Sequence, residues 1–442
     1  MTKQATAKLT AASHRPNATI LRNLQAGHTA EELPYLKRRI LAAPEDSNAS
    51  YLFALASAAT GAGEAERAWM GYARVLAPRN AQIQTSLGMA RLRDRDVDGA
   101  HEAFSKAVEY SPNYSAARYQ RSIMDLEAMR LAQGWADYEW RFSYPAAPGV
   151  WRDFPSPVWD GRSEIDGKLL VWAEQSTSAQ IFFCSVLNEL DLPGGLVVEV
   201  DRDLATLFQR SFPEAEIVIA ETPPNPRLSE SDIEANIPMG RLCGMNRRSI
   251  LDFRKSKARY LHADPDLSVD IMLDIAKPEK LTIGIAWRAQ TRNGPELTLK
   301  QLTPLLKLSD ITWVSLEGGE ARSEIEAFEQ ATGIRLTSHP DVDKATDLDG
   351  LAALIAACDL VITPDKPVAH IAGGMGRSVW TLLPERFAAR WFWFSGHRTH
   401  PPKFARWYPS MRLLWRKDAE TMDDFVARTA DLVTRARQSS SV

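Results

Sequence analysis

A spacing of 34 residues separates Pro44, Pro78 and Pro112, and helical stretches run up to each of them: ELPYLKRRILAAP, GEAERAWMGYARVLAP and VDGAHEAFSKAVEYSP. A period of this length belongs to helix pairs that bury their apolar faces only by stacking on one another. In the copy ending at Pro112, the small residues Gly88, Ala100 and Ala107 and the aromatic Phe104 fall where two antiparallel helices must approach closely. Such a stack builds a concave surface for a partner and carries no chemistry of its own, so any reaction has to lie downstream. Residues 1–26 are polar and weakly patterned. The repeats are expected over 27–148, with a Gly134 break and the aromatics Trp135, Tyr138 and Trp140 forming a half-repeat that caps the array.

The chain as a whole is too long for a single core: 442 residues imply two or three domains. A formal net charge of -3 leaves no basic footprint for nucleic acid. Cys184, Cys243 and Cys358 are far apart, odd in number and without metal-ligand spacing, which fits a reducing compartment and core packing. Lys3 and Lys8 precede no apolar stretch of signal-peptide length, and no run approaches a membrane span, so the expected location is cytoplasmic with no membrane span.

A proline-rich connector over 149–165, containing YPAAPGVWRDFPSPVWDG in part, separates the repeats from a different texture. KLLVWAE, GGLVVEV and EAEIVIA are short β-rich runs alternating with helical segments, which predicts a Rossmann-like unit over 166–276. The pattern restarts at LTIGIAW and continues through ITWVSLE, CDLVITP and SVWTLLP, predicting a second such unit over 277–442. Its closing helix carries an apolar stripe of Phe425, Val426, Thr429, Leu432 and Val433. The fold class is therefore multidomain, a helical solenoid followed by two α/β units.

Candidate site residues follow from the strand ends. In CDLVITPDKPVAHIAGGMG a strand runs through Asp365, Lys366 and Pro367 into a helix, and a helix amino terminus suits a diphosphate. Lys366 adds a point charge and His370 sits on the first turn. The structural alternative is that Asp365 caps the helix and His370 packs on the sheet. Arg288 and Arg292, in the loop after Trp287, suit phosphate or a departing nucleotide, or else a solvated loop. Glu317 ends its strand as a hydroxyl acceptor or as a surface carboxylate. The aromatic run RWFWF, with Trp407 and Tyr408, suits packing or stacking on a ligand ring.

WAEQ at 172–175, GIAW at 284–287 and PDKPVAHIAGGMGRSVWTLLP at 364–384, set behind repeats of the tetratricopeptide (TPR) period, resemble bacterial TPR proteins with a heptosyltransferase-like domain. The layout is also similar to that of protein O-GlcNAc transferases. The resemblance implies a B-type (GT-B) glycosyltransferase architecture, a nucleotide-sugar donor as substrate, no metal and no cofactor, and protein glycosylation of a partner held by the repeats, with flagellar or surface proteins as candidate acceptors. Relatives usually continue the first strand as E-Q-G-x-G-D, whereas here Glu174 and Gln175 are followed by Ser176, Thr177, Ser178 and Ala179. Lys366 stands where relatives more often carry Thr, and Pro295 and Glu296 where they carry an Arg-Ser pair. With the loop aspartate replaced by Ala179, Glu174 is the nearest carboxylate for general-base work. Two readings remain: an active metal-independent transferase using Glu174, Lys366, Arg288 and Arg292, or a catalytically degenerate relative acting as a scaffold or adaptor.

Overall fold

The computed structural model describes residues 15–288, 297–318, 321–340, 342–385, 389–394 and 401–439, which form two compact units dividing between Ser122 and Ile123. Among the described residues, no helix is long and apolar enough to cross a membrane.

The first unit is helical. Thr29–Ala42, Gly63–Leu76 and Val97–Tyr110 start 34 residues apart, and so do the intervening Ser47–Ala59, Ala81–Arg93 and Ser115–Glu127, the last of which runs on past the division at Ser122. The same local chemistry restarts them: Asp46 accepts from the backbone N–H groups of Asn48 and Ala49, and Asn80 from those of Gln82 and Ile83. Small residues allow the close approach expected of them. A Cβ on Gly88 would lie 2.5 Å from the ring of Phe104, which is fully buried. Leu36, Leu52, Met70 and Ile83 fill the core between the helices.

The second unit holds two parallel sheets. The first, in the order β3-β2-β1-β4, is built from β1 (Lys168–Trp172), β2 (Leu196–Val200), β3 (Ala215–Ile219) and β4 (Ile233–Pro238). The second, in the order β6-β5-β7-β8-β9, uses β5 (Leu281–Ile285), β6 (Ile311–Ser315), β7 (Leu360–Pro364), β8 (Val379–Leu383) and β9 (Met411–Trp415). The sequence reading names seven of these strands and lacks β4 and β9. β4 contains Asn236 and ends in Pro238, so it does not read as a continuous apolar run. Phe425, Val426 and Val433 of the closing helix Met422–Ser439 are buried in one core with Trp313 of β6 and Leu305.

Two expectations about the boundary need correction. Residues 123–148, assigned above to the end of the repeat array, lie in the α/β unit. Trp135 of helix Leu131–Tyr138 sits against Gly244, where a Cβ would meet the indole at 2.8 Å, and its ring lies 5.3 Å from Trp391. The helix face that was to cap the repeats is thus spent on the α/β unit. The proline-rich segment is not a free linker either. Val158 forms a parallel bridge to Asn236 of β4, with Trp159 N donating to Asn236 O at 2.8 Å and Asn236 N to Pro157 O at 2.9 Å. Arg152 holds the buried carboxylate of Glu199 from the same segment.

Candidate functional site

In open parallel sheets, ligands bind beyond the carboxyl ends of the strands where the strand order reverses. For the second sheet that point lies between β5 and β7. Three strand ends meet there on one carboxylate, that of Glu317, which follows β6. Trp287 N and Arg288 N, just past β5, donate to its Oε1 at 2.7 and 2.8 Å, and Lys366 Nζ, just past β7, donates to its Oε2 at 2.7 Å. The ion pair is largely buried, with side-chain exposures of 12% for Lys366 and 5% for Glu317. Lys366 is also the residue that precedes helix Pro367–Gly374, whose first turn has no side-chain cap. Pro367 fits the first helical position because its missing N–H is one that the helix would not bond internally.

Of the other residues expected here, Arg288 turns its guanidinium to Glu324 at 3.0 Å, and Glu324 also accepts from Trp287 Nε1 at 3.2 Å. Arg292 lies outside the described residues. Asp365 does not cap the helix. It lies 3.5 Å from both His370 Nε2 and Arg390 Nε. Burial pushes the Asp365 carboxyl up, but His370 and Arg390 outweigh it and hold the group below its usual range.

His370 is fully buried, so it packs behind the crevice and does not line it. Its Nδ1 lies 2.8 Å from Tyr408 Oη, and its ring stacks on Trp393 at 5.3 Å. Burial lowers its pKa, an effect that Asp365 only partly opposes. A histidine lowered in the folded state is protonated first in the unfolded chain, so its stabilising contribution is complete above the unfolded value of 6.5 and is lost as pH falls below it. Replacing His370 by asparagine is expected to flatten the fall in unfolding free energy as the pH drops below 6.5. Denaturant titrations at several pH values check this, and an unchanged slope refutes it.

The reversal point of the first sheet lies between β1 and β4, and the expected base lies there. Glu174, just past β1, receives Arg141 Nε on Oε2 and the outer guanidinium nitrogen of Arg141 on Oε1, both at 2.8 Å. Gly240 N, just past β4, adds a bond to Oε1 at 2.7 Å, and Gln175 Nε2 one to Oε2 at 3.2 Å. Both oxygens are thus engaged by donors in a site with side-chain exposures of 0% for Arg141 and 1% for Glu174. A carboxylate so bound is poorly placed to take a proton from an acceptor hydroxyl. Burial works against the charge of Arg141, but Glu174 more than compensates and raises the guanidinium pKa.

Sequence reasoning missed Arg141, although a signal was present. It is the one cation inside the aromatic segment YEWRF, and its guanidinium lies 4.7 Å from the Tyr138 ring and 4.0 Å from the Phe142 ring. The loop that follows β1 is otherwise well formed without glycines. Gln175 takes the left-handed conformation at φ 64°, and Ser176 accepts from Ala179 N to start helix Thr177–Phe183. The aromatics of RWFWF that are described, Trp391 to Phe394, are buried. Phe392 and Trp407 pack on Phe182 of this helix at 4.8 and 5.1 Å and so join the two halves of the α/β unit.

No protein-family model matches the chain. Protein FlbA of Caulobacter vibrioides is 26% identical over 365 residues, covering 76% of this chain and 58% of its own length. The chain therefore spans a little under three-fifths of that curated relative. Among solved structures it is similar to a family 9 glycosyl transferase from Veillonella parvula, with a TM-score of 0.45 and 11% identity over 63% of this chain and 98% of that one. It is likewise similar to the E. coli ADP-heptose LPS heptosyltransferase II, with a TM-score of 0.41 and 12% identity over 61% of this chain and 99% of that one. A mutant of the Thermobaculum terrenum O-GlcNAc transferase covers 96% of this chain and 92% of its own, with a TM-score of 0.31 and 16% identity. These likenesses assign no residue a role in this protein.

Proposed function

We propose that the protein is glycosyltransferase-like, binding a nucleotide-sugar donor at the carboxyl end of the second sheet and acting on a protein partner held by the N-terminal helix pairs. The observation that carries the donor half is the Lys366–Glu317 pair at the point of strand reversal, beside the uncapped first turn of helix Pro367–Gly374. The ammonium and the helix amino terminus together place positive charge where a diphosphate leaving group accumulates negative charge. Glu317, fixed by Trp287 N, Arg288 N and Lys366, keeps about one of a carboxylate's four acceptor sites, on Oε2, for a ribose or sugar hydroxyl. Asp365 acts from behind, as the ionised neighbour of Arg390 and His370.

A second reading, an adaptor without turnover, is favoured by one observation: Glu174 is held by four donors, and Ala179 cannot replace it as a base. Calorimetric titration with nucleoside diphosphates and nucleotide sugars, without added metal, tests the donor site. Micromolar binding of one member, weakened about tenfold or more by Lys366→Ala, is the expected result, since a charge-assisted bond to phosphate contributes about 1.5–3 kcal/mol. An absence of binding across the panel by a folded protein overturns the donor site and leaves the adaptor.

A further inference from the structure

Six carboxylates among the described residues stand within two residues of the carboxyl end of a strand: Glu174 after β1, Asp201 after β2, Glu221 after β3, Glu317 after β6, Asp365 after β7 and Glu385 after β8. Five of them meet a cation. Arg141 holds Glu174, Arg202 holds Glu221, Lys366 holds Glu317, Arg390 lies beside Asp365, and Arg416 holds Glu385. Asp201 has no ion-pair partner among the described residues, yet it is fixed in place. Its backbone N donates to Gln180 Oε1 at 2.9 Å, and its Oδ2 accepts from the hydroxyl of Thr177, also at 2.9 Å. Oδ1 has no donor among the described residues, and the residue is half-buried. Both partners belong to helix Thr177–Phe183, which carries Ala179 where the family resemblance expects an aspartate. The neighbouring strand thus brings a carboxylate to the loop that lacks one. This end of the first sheet faces the second. Phe182 of the same helix packs on His370 at 6.0 Å, and Arg210, on the helix that leaves β2, pairs with Asp349 of helix Leu348–Ala356, which leads into β7.

We infer that Asp201 is the general base of a sugar transfer, with Thr177 as its positioning residue. A base must be ionised, held still and open to the hydroxyl it deprotonates, and Asp201 combines these where Glu174 does not. In the step, the acceptor oxygen bonds to the anomeric carbon of the donor as the bond from that carbon to the phosphate oxygen breaks. The hydroxyl proton passes to Asp201 Oδ1, because Thr177 occupies Oδ2. The bonding electrons leave with the nucleoside diphosphate, whose charge falls to Lys366 and the uncapped first turn of helix Pro367–Gly374. The half-buried carboxylate then returns the proton to water. The inference rests on the donor reading above and supplies the base that Glu174 and Ala179 do not.

The test uses the full chain, the nucleotide sugar that binds in the calorimetric panel, and water or blocked serine as the acceptor hydroxyl, with release of the nucleoside diphosphate as the readout. Asp201→Asn keeps an oxygen for Thr177 and is expected to leave donor affinity within about twofold while slowing release by about 10²–10⁴-fold, the usual weight of a positioned base. The decline of the wild-type rate toward acid pH is expected to disappear in the same variant. Asp201→Ala is expected to be equally slow and to regain about tenfold or more on addition of formate, a recovery that a purely structural role does not give. Unchanged release by Asp201→Asn, or no recovery with formate in a folded Asp201→Ala, overturns the base and leaves the donor site standing. Donor binding without release by the wild type overturns the base in favour of the adaptor. An absence of binding across the panel removes the donor site and the base together.

Discussion

Replacing Arg141 by leucine is expected to destabilise the α/β unit by about 3–5 kcal/mol, the cost of leaving one member of a buried ion pair without its partner. The leucine fills part of the space between Tyr138 and Phe142 but offers nothing to the carboxylate of Glu174, which keeps only Gly240 N and Gln175 Nε2. The stranded charge lies at the junction of β1, β4 and the segment before the connector, so the loss reaches all three. The double variant Arg141→Leu/Glu174→Leu is expected to recover a large part of the loss, because removing both charges also removes their desolvation. Urea unfolding of the wild type, the single variant and the double variant measures it. A loss below about 1 kcal/mol in the single variant, the level of a surface pair, refutes the anchoring role.

Trp135→Ala is expected to cost a similar amount, about 3–5 kcal/mol, as truncation of a buried indole does. The ring is the meeting point of four others or their backbone: Tyr138 at 5.5 Å, Phe183 at 6.5 Å, Trp391 at 5.3 Å, and Gly244, which has no side chain to fill the resulting hole. The same contact tests where the α/β unit begins. A fragment starting at Val150, as the connector suggests, exposes Trp391 and Phe183 and is expected to aggregate. One starting at Ser115 keeps helix Leu131–Tyr138 and is expected to unfold cooperatively. Equal behaviour of the two fragments would show that Trp135 adds nothing to the unit.

Much of the candidate site was legible because it depends on strand ends. Lys366 and Glu317 each stand directly after an apolar β-rich run, so their arrival at one edge of a sheet follows from local pattern once the sheet is parallel. What the pattern does not contain is which strands are neighbours. The meeting of Glu317 with Lys366 depends on the order β6-β5-β7, and that of Glu174 with Gly240 on β1 lying beside β4. His370 reads as a first-turn ligand on the helix that starts at Pro367, but a helix has two sides, and the aromatics of Trp393 and Tyr408, more than twenty residues on, take this side into the core.

The sequence by itself determined the 34-residue helix pairs, since caps such as Asp46 and Asn80 and small residues such as Gly88 act within one repeat, and it determined seven of the nine strands among the described residues, since β propensity and apolar runs are local properties. Only the tertiary structure decided that the last helical segment belongs to the α/β unit and that Glu174 is held by Arg141. Both outcomes rest on the partner that a side chain finds across 33 residues, for Arg141 and Glu174, or across about a hundred, for Trp135 and Gly244. A buried charge or a large buried ring is stabilised only by the group that meets it, and local sequence does not carry the identity of that group.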